Sequence, residues 1–98
     1  MVEFVWDEQK NESNIRKHGL DFADAHRIFA APLLVARDDR EEYGEERWTG
    51  IGLLDLRVVV VVFSEPDERT IRIISLRKAL RYERARFEEH LQEQLGAG

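Results

Sequence analysis

The run Arg57-Val58-Val59-Val60-Val61-Val62-Phe63 decides the fold. Five consecutive valines leave no polar face, so a strand built from them must be covered on both sides and belongs at the centre of a sheet. As the longest apolar run in the chain it is still far short of the roughly 20 residues a membrane helix needs. Downstream, residues 64–68 with Pro66-Asp67 read as a turn. Residues 69–76 read as a further strand, with Ile71 and Ile73 on one face and Arg72 and Ile74 on the other. Upstream, residues 45–54 alternate, with Arg47, Thr49, Ile51 and Leu53 on one side and Trp48, Gly50, Gly52 and Leu54 on the other. Leu33-Leu34-Val35-Ala36 is a fourth strand, joined to that one through an acidic turn over 38–44. Such tight spacings allow hairpins and leave no room for a crossover helix, so the four strands predict an antiparallel meander.

Helical periodicity flanks this sheet. Phe4, Val5 and Trp6 make a short extended start. Asp7 is placed to cap a very polar helix over 8–18 whose main apolar residue is Ile15, and Gly19 suits the left-handed position that ends it. Asp21 caps a second helix, in which Phe22, Ala25, Ile28 and Phe29 form one apolar stripe before Pro32 closes it. After the last strand, Leu80, Phe87, Leu91 and Leu95 give a helical seam, with Arg77, Arg81 and Arg84 on a neighbouring stripe. Residues 96–98 read as a frayed tail. The predicted class is α+β in the order α-α-β-β-β-β-α, a four-stranded antiparallel sheet with helices packed on one face.

Ninety-eight residues make one domain over 1–98, with 43% hydrophobic residues for a single core. The absence of cysteine excludes disulfides, thiolate metal sites and a cysteine nucleophile. The first residues show neither a basic region nor an apolar stretch, so the expectation is a soluble, cytoplasmic protein without a secretory signal or membrane segment. The net charge of −5 is divided unevenly. Between Arg69 and Arg86 seven cations face the single anion Glu83, so this stretch carries +6 and the rest −11. A basic face of that kind suits a polyanion, and arginine, twelve of the fifteen cations, grips phosphate bidentately.

Familiar catalytic motifs are missing. His18, His26 and His90 fall on three different predicted helices, with no carboxylate at metal-ligand spacing, so no metal or cofactor is expected. No glycine-rich phosphate loop or serine elbow is present. What remains is polar groups at element ends: Arg16-Lys17-His18, Glu45-Glu46-Arg47, and Arg72 through Arg77. Singly each has a structural explanation, as a cation at a helix C-terminus or a surface ion pair. Together they have the composition that metal-free RNA cleavage needs: a group to deprotonate the 2′-hydroxyl, cations to hold the phosphate, and a proton donor for the leaving oxygen.

Five strings then fall in register: Phe4-x-Trp6-Asp7-Glu8-x-Lys10, Asn14-x-Arg16-Lys17-His18-Gly19, Phe22-x-x-Ala25, Gly44-Glu45-Glu46-Arg47-Trp48-x-x-Ile51-Gly52, and Ile71-Arg72-Ile73-Ile74-Ser75-x-Arg77-Lys78-Ala79. Together, over residues 4–89, they resemble the BrnT family of toxins. One departure is Leu54-Asp55-Leu56-Arg57, where a typical member has Gly-Arg or a second glycine before the central strand. The resemblance implies a compact relative of the RelE-type ribonuclease toxins. It also implies a ribbon-helix-helix antitoxin partner of the BrnA type, assembled with the toxin as a heterotetramer, with operator DNA reached only through the antitoxin. Carried onto this chain, it implies catalytic roles for His18, Glu45, Arg72 and Arg77, with Arg72 and Arg77 as phosphate clamps and His18 or Glu45 as general base. Lys17, Arg47, Ser75, Lys78 and Arg81 are the implied substrate-binding set. Two other readings stay open at this point: a non-enzymatic module that binds its antitoxin and tunes operator binding, and an RNA-binding domain of the same fold.

Overall fold

The computed structural model describes residues 1–39 and 44–96. In chain order these form β1 (Glu3–Val5), α1 (Glu8–His18), a 3-10 turn (Phe22–Asp24) running into α2 (Ala25–Phe29), β2 (Leu33–Arg37), β3 (Trp48–Leu54), β4 (Arg57–Asp67), β5 (Thr70–Lys78) and α3 (Arg81–Gly96). The sheet has five strands in the order β1-β5-β4-β3-β2, which corrects the expected four. The four later strands form the antiparallel meander, and the added strand is the short start of the chain. β1 lies parallel to β5, with Glu3 opposite Thr70 and Val5 opposite Arg72. Three residues are too few to display a period, and their partner lies at the far end of the chain.

The valine strand sits where its sequence demands. Val59, Val60 and Val61 are wholly buried, and burying each contributes about 2 kcal/mol. Val59, Val61 and Phe63 face a core with Phe22, Ala25, Ile28, Leu54, Ile73 and Leu76. Val60 joins a smaller cluster on the opposite face with Ile51, Ala79 and Phe87. Helices therefore cover both faces: α1 and α2 one side, α3 the other. The one-face arrangement expected above is corrected by the same double burial that put the strand at the centre. Gly50 and Gly52 face the larger core, and the approach at Gly52 is so close that an added Cβ would lie 2.9 Å from Leu33 Cδ1 and 3.0 Å from Ile28 Cγ2.

The element ends follow the capping residues. Asp7 accepts from the Gln9 and Lys10 amides, Asp21 from Ala23, and Gly19 adopts φ 68°. Several boundaries differ from the sequence reading. β4 continues through the expected turn to Asp67, so the hairpin closes at Glu68-Arg69, and β5 runs on to Lys78. Arg77 consequently belongs to a strand and not to the stripe of α3. The predicted acidic turn includes residues 40–43, and the predicted tail residues 97–98, both outside the described residues; Gly96 still belongs to α3.

α1 buries asparagine rather than its one apolar side chain: Asn11 and Asn14 are 6% exposed, while Ile15 is 40% exposed. Asn11 accepts from the Phe22 amide and donates to Asp21, whose carboxyl is held below the usual aspartate range by the Ala23 amide and then by Asn11. Asn14 donates to the carbonyls of Leu20 and Leu76 and accepts from the Leu76 amide. Beyond Arg72 β5 has lost its β1 partner, and the Asn14 amide takes the place of a neighbouring strand there. This fixes the C-terminal end of α1 beside the C-terminal end of β5.

Candidate functional site

The register of β5 against β4 breaks twice, between Ser64 and Asp67 near the hairpin and between Val62 and Phe63. Phe63 is opposite Ile73 but Val62 is opposite Ser75, so Ile74 is an extra residue, a β-bulge. In a regular strand Arg72 and Arg77, an even and an odd position, would point to opposite faces. The bulge reverses the alternation. Ile71, Ile73 and Leu76 all reach the larger core, and Arg72, Ser75 and Arg77 share the face that carries α3.

On that face a groove of about 440 Å³ runs between the first turns of α3 and strands β2 to β5. Its floor is Leu34, Ala36, Thr49, Ile51, Val62 and Ser75, and its α3 wall is Tyr82, Glu83 and Arg86, with Arg77 at the strand end. Arg77 and Arg86 stand on the α3 side, and Arg37, Asp38 and Asp39 on the β2 side, where Arg37 is ion-paired to Asp39.

Arg77 is anchored by Glu83. Its Nη1 and Nη2 donate to Oε1 and Oε2 at 2.7 and 2.8 Å, a bidentate pair. Oε1 of Glu83 also accepts from the Leu80 amide at 2.8 Å, which satisfies a donor at the start of α3 as the third residue of a capping box does. The Glu83 side chain is only 8% exposed and that of Arg77 32%, so the guanidinium is held in a fixed plane and still meets solvent. The hydrogen bonds from Arg77 hold the Glu83 carboxyl below the ordinary glutamate range, against a desolvation that acts the other way.

A depressed folded-state value means that this contribution is present above the unfolded value and is lost as pH falls through the folded one. At neutral pH Glu83→Gln should therefore be less stable than wild type by about 1 kcal/mol. The gap should close below the ordinary glutamate range. Urea midpoints of the two proteins across that range check this, and a gap that does not narrow would contradict the assignment.

The expected site residues separate into two groups. Lys17 and His18, exposed at the end of α1, share a hollow with Arg77, Lys78 and Leu80, so these cations and the histidine come together around the anchored guanidinium. Ser75 lies on the adjoining groove floor, and Arg81 is exposed at the start of α3. Glu45, Arg47 and Arg72 form the other group. Arg72 is ion-paired to both carboxylate oxygens of Glu45, and Arg47 Nε stands 3.5 Å from Glu45. At about 3.3 Å per residue Arg72 lies roughly 15 Å along the strand from Arg77. The two arginines share a face, but they do not converge on one phosphate.

Sequence reasoning missed Glu83, which it counted only as the lone anion in a basic stretch, and the groove residues Thr49, Tyr82 and Arg86. The spacing from Leu80 to Glu83, that of a capping box, was the available signal for the first. A surface aromatic between arginines was the signal for Tyr82.

A family model described as "Ribonuclease toxin, BrnT, of type II toxin-antitoxin system" matches residues 6–83. The 1.1 Å crystal structure of the Brucella abortus ribonuclease toxin BrnT is 30% identical in sequence and similar in fold, with a TM-score of 0.63. The likeness covers 83% of this chain and 100% of that one. Among curated proteins no match is found. The bulged strand, the asparagine-docked helix and the Arg77 anchor thus stand on a scaffold shared over most of its length, and the chain belongs to the BrnT family of ribonuclease toxins of type II toxin-antitoxin systems.

Proposed function

We propose that this chain cleaves RNA without a metal ion, at the place where Arg77, Lys17, His18 and Lys78 meet. The observation that carries this reading is the anchored guanidinium: Glu83 fixes it at a strand end, beside an exposed histidine and two exposed lysines. A fixed cation is worth most to a reaction whose charge grows on the phosphate as the 2′-oxygen attacks, because it need not reorganise in the transition state. His18, on the end of the docked helix, is the general base that takes the 2′-hydroxyl proton; as the 2′-oxygen bonds to phosphorus the P–O5′ bond breaks, and the departing 5′-oxygen takes a proton from water. Glu45, the other candidate, is engaged by Arg72 and Arg47 away from the anchored cation. Arg72 and Arg47 then hold a more distant stretch of the RNA backbone, with Ser75 and Arg81 beside the cleaved phosphate.

Cleavage of messenger RNA, free or at the ribosome, arrests translation and growth in the cytoplasm. A ribbon-helix-helix antitoxin of the BrnA type neutralises the protein in a heterotetramer and carries the operator contacts. The test is induction of the chain alone, then with the adjacent antitoxin gene, together with RNA cleavage by purified protein in excess EDTA. Growth arrest relieved by the antitoxin and cleavage unaffected by the chelator are expected. Normal growth at high soluble expression, with no cleavage in vitro, would leave the non-enzymatic, antitoxin-binding reading in its place.

A further inference from the structure

The groove has an aromatic side chain that Arg77 does not explain. Tyr82, on the first turn of α3, is 61% exposed, and among the described residues it makes no hydrogen bond and no ring contact. It lines the groove beside Arg86, one helical turn further on, which is exposed and near enough to Glu83 for its charge to help lower that carboxyl. Opposite lies a floor of apolar side chains, Leu34, Ile51 and Val62, interrupted by the hydroxyls of Thr49 and Ser75.

We infer that this groove is a nucleotide subsite in which Tyr82 stacks an unpaired RNA base adjacent to the phosphate held at Arg77. The inference rests on the proposal that Arg77 marks the cleavage site. An aromatic wall, an apolar floor and cations at one end are the parts that single-strand-binding grooves combine, because every base has a π-face and every nucleotide a phosphate. The volume, about 440 Å³, is that of a small-ligand site. The arginines on the α3 side orient the phosphate, and the base is left to lie between Tyr82 and the sheet. Stacking on a side chain needs a base free of its own helix, so the subsite makes the enzyme select single-stranded over duplex RNA.

The experiment uses the whole protein and a single-stranded RNA oligonucleotide made uncleavable by 2′-O-methylation, with 2-aminopurine scanned along its length. Binding should quench or shift the fluorophore at one position, and Tyr82→Ala should abolish that change and weaken binding about tenfold. Tyr82→Phe, which keeps the ring and loses the hydroxyl, should restore both. In cleavage of the unmodified strand, Tyr82→Ala should raise KM by a similar factor with little change in kcat, and the preference over duplex RNA should shrink. Three outcomes would overturn the inference. In the first, Tyr82→Ala binds and cleaves as wild type while Arg77→Ala is inactive, which refutes the subsite and leaves the function standing. In the second, RNA binding is unchanged but antitoxin affinity drops, which assigns the ring to a protein interface. In the third, wild type neither binds nor cleaves RNA, and both readings fall together.

Discussion

Arg77→Ala should lower RNA cleavage per mole of folded protein by about 10²–10³-fold, the loss that follows removal of one preorganised charge-stabilising donor. The substitution also leaves the buried Glu83 carboxylate without its guanidinium, so some fall in stability is expected with it. The two effects can be separated. Adding Glu83→Gln removes the stranded charge while an amide oxygen remains to accept from Leu80, so Arg77→Ala/Glu83→Gln should be more stable than Arg77→Ala and equally inactive. Arg77→Lys keeps a charge but cannot hold both oxygens of Glu83 and a phosphate in one plane, and should rescue little. Arg72→Ala, at the distant end of the shared face, should cost less activity than Arg77→Ala. Cleavage that tracks the folded fraction in all four variants would mean that Arg77 serves only the fold.

Asn14→Ala should be the most damaging single truncation outside the apolar core. It deletes three buried hydrogen bonds at 2.8 to 3.1 Å and orphans the Leu76 amide, the Leu76 carbonyl and the Leu20 carbonyl together. At about 1–3 kcal/mol for each buried group left unpaired, partly offset by relaxation, the expected loss is about 3 kcal/mol or more. Urea denaturation followed by circular dichroism checks this, with the midpoint falling and the slope unchanged. A loss below about 1 kcal/mol would show that water can replace the amide at the open edge of β5. Because Lys17 and His18 lie within one turn of Asn14, the residual folded protein should also cleave RNA more slowly.

How much of this the sequence disclosed depended on the kind of signal. Apolar periodicity and capping chemistry are local, and they located β4, the stripe of Phe22, Ala25 and Ile28, and the helix ends at Asp7, Gly19 and Asp21. Long-range polar geometry leaves no such trace. Asn11 and Asn14 are buried by what they hydrogen-bond, so hydropathy placed the weight of α1 on Ile15, which the fold exposes. β1 was too short to show alternation. The bulge at Ile74 was invisible because Ile73-Ile74 reads as ordinary strand, yet it alone turns Arg77 to the side of Arg72. In the site, the polar clusters were recognisable as residue types at element ends. Their division into two groups roughly 15 Å apart follows from strand register, which a single sequence does not print.

The pairing of β1 with β5 also fixes when during synthesis the fold can close. The first strand and the helix behind it are made well before the edge that receives them, Thr70 to Leu76. Glu83, which anchors Arg77, follows later still. A chain halted before that point has no anchored Arg77 and no α3 wall to its groove. Truncation of the chain before Glu83 should therefore leave the Arg77 guanidinium without its anchor.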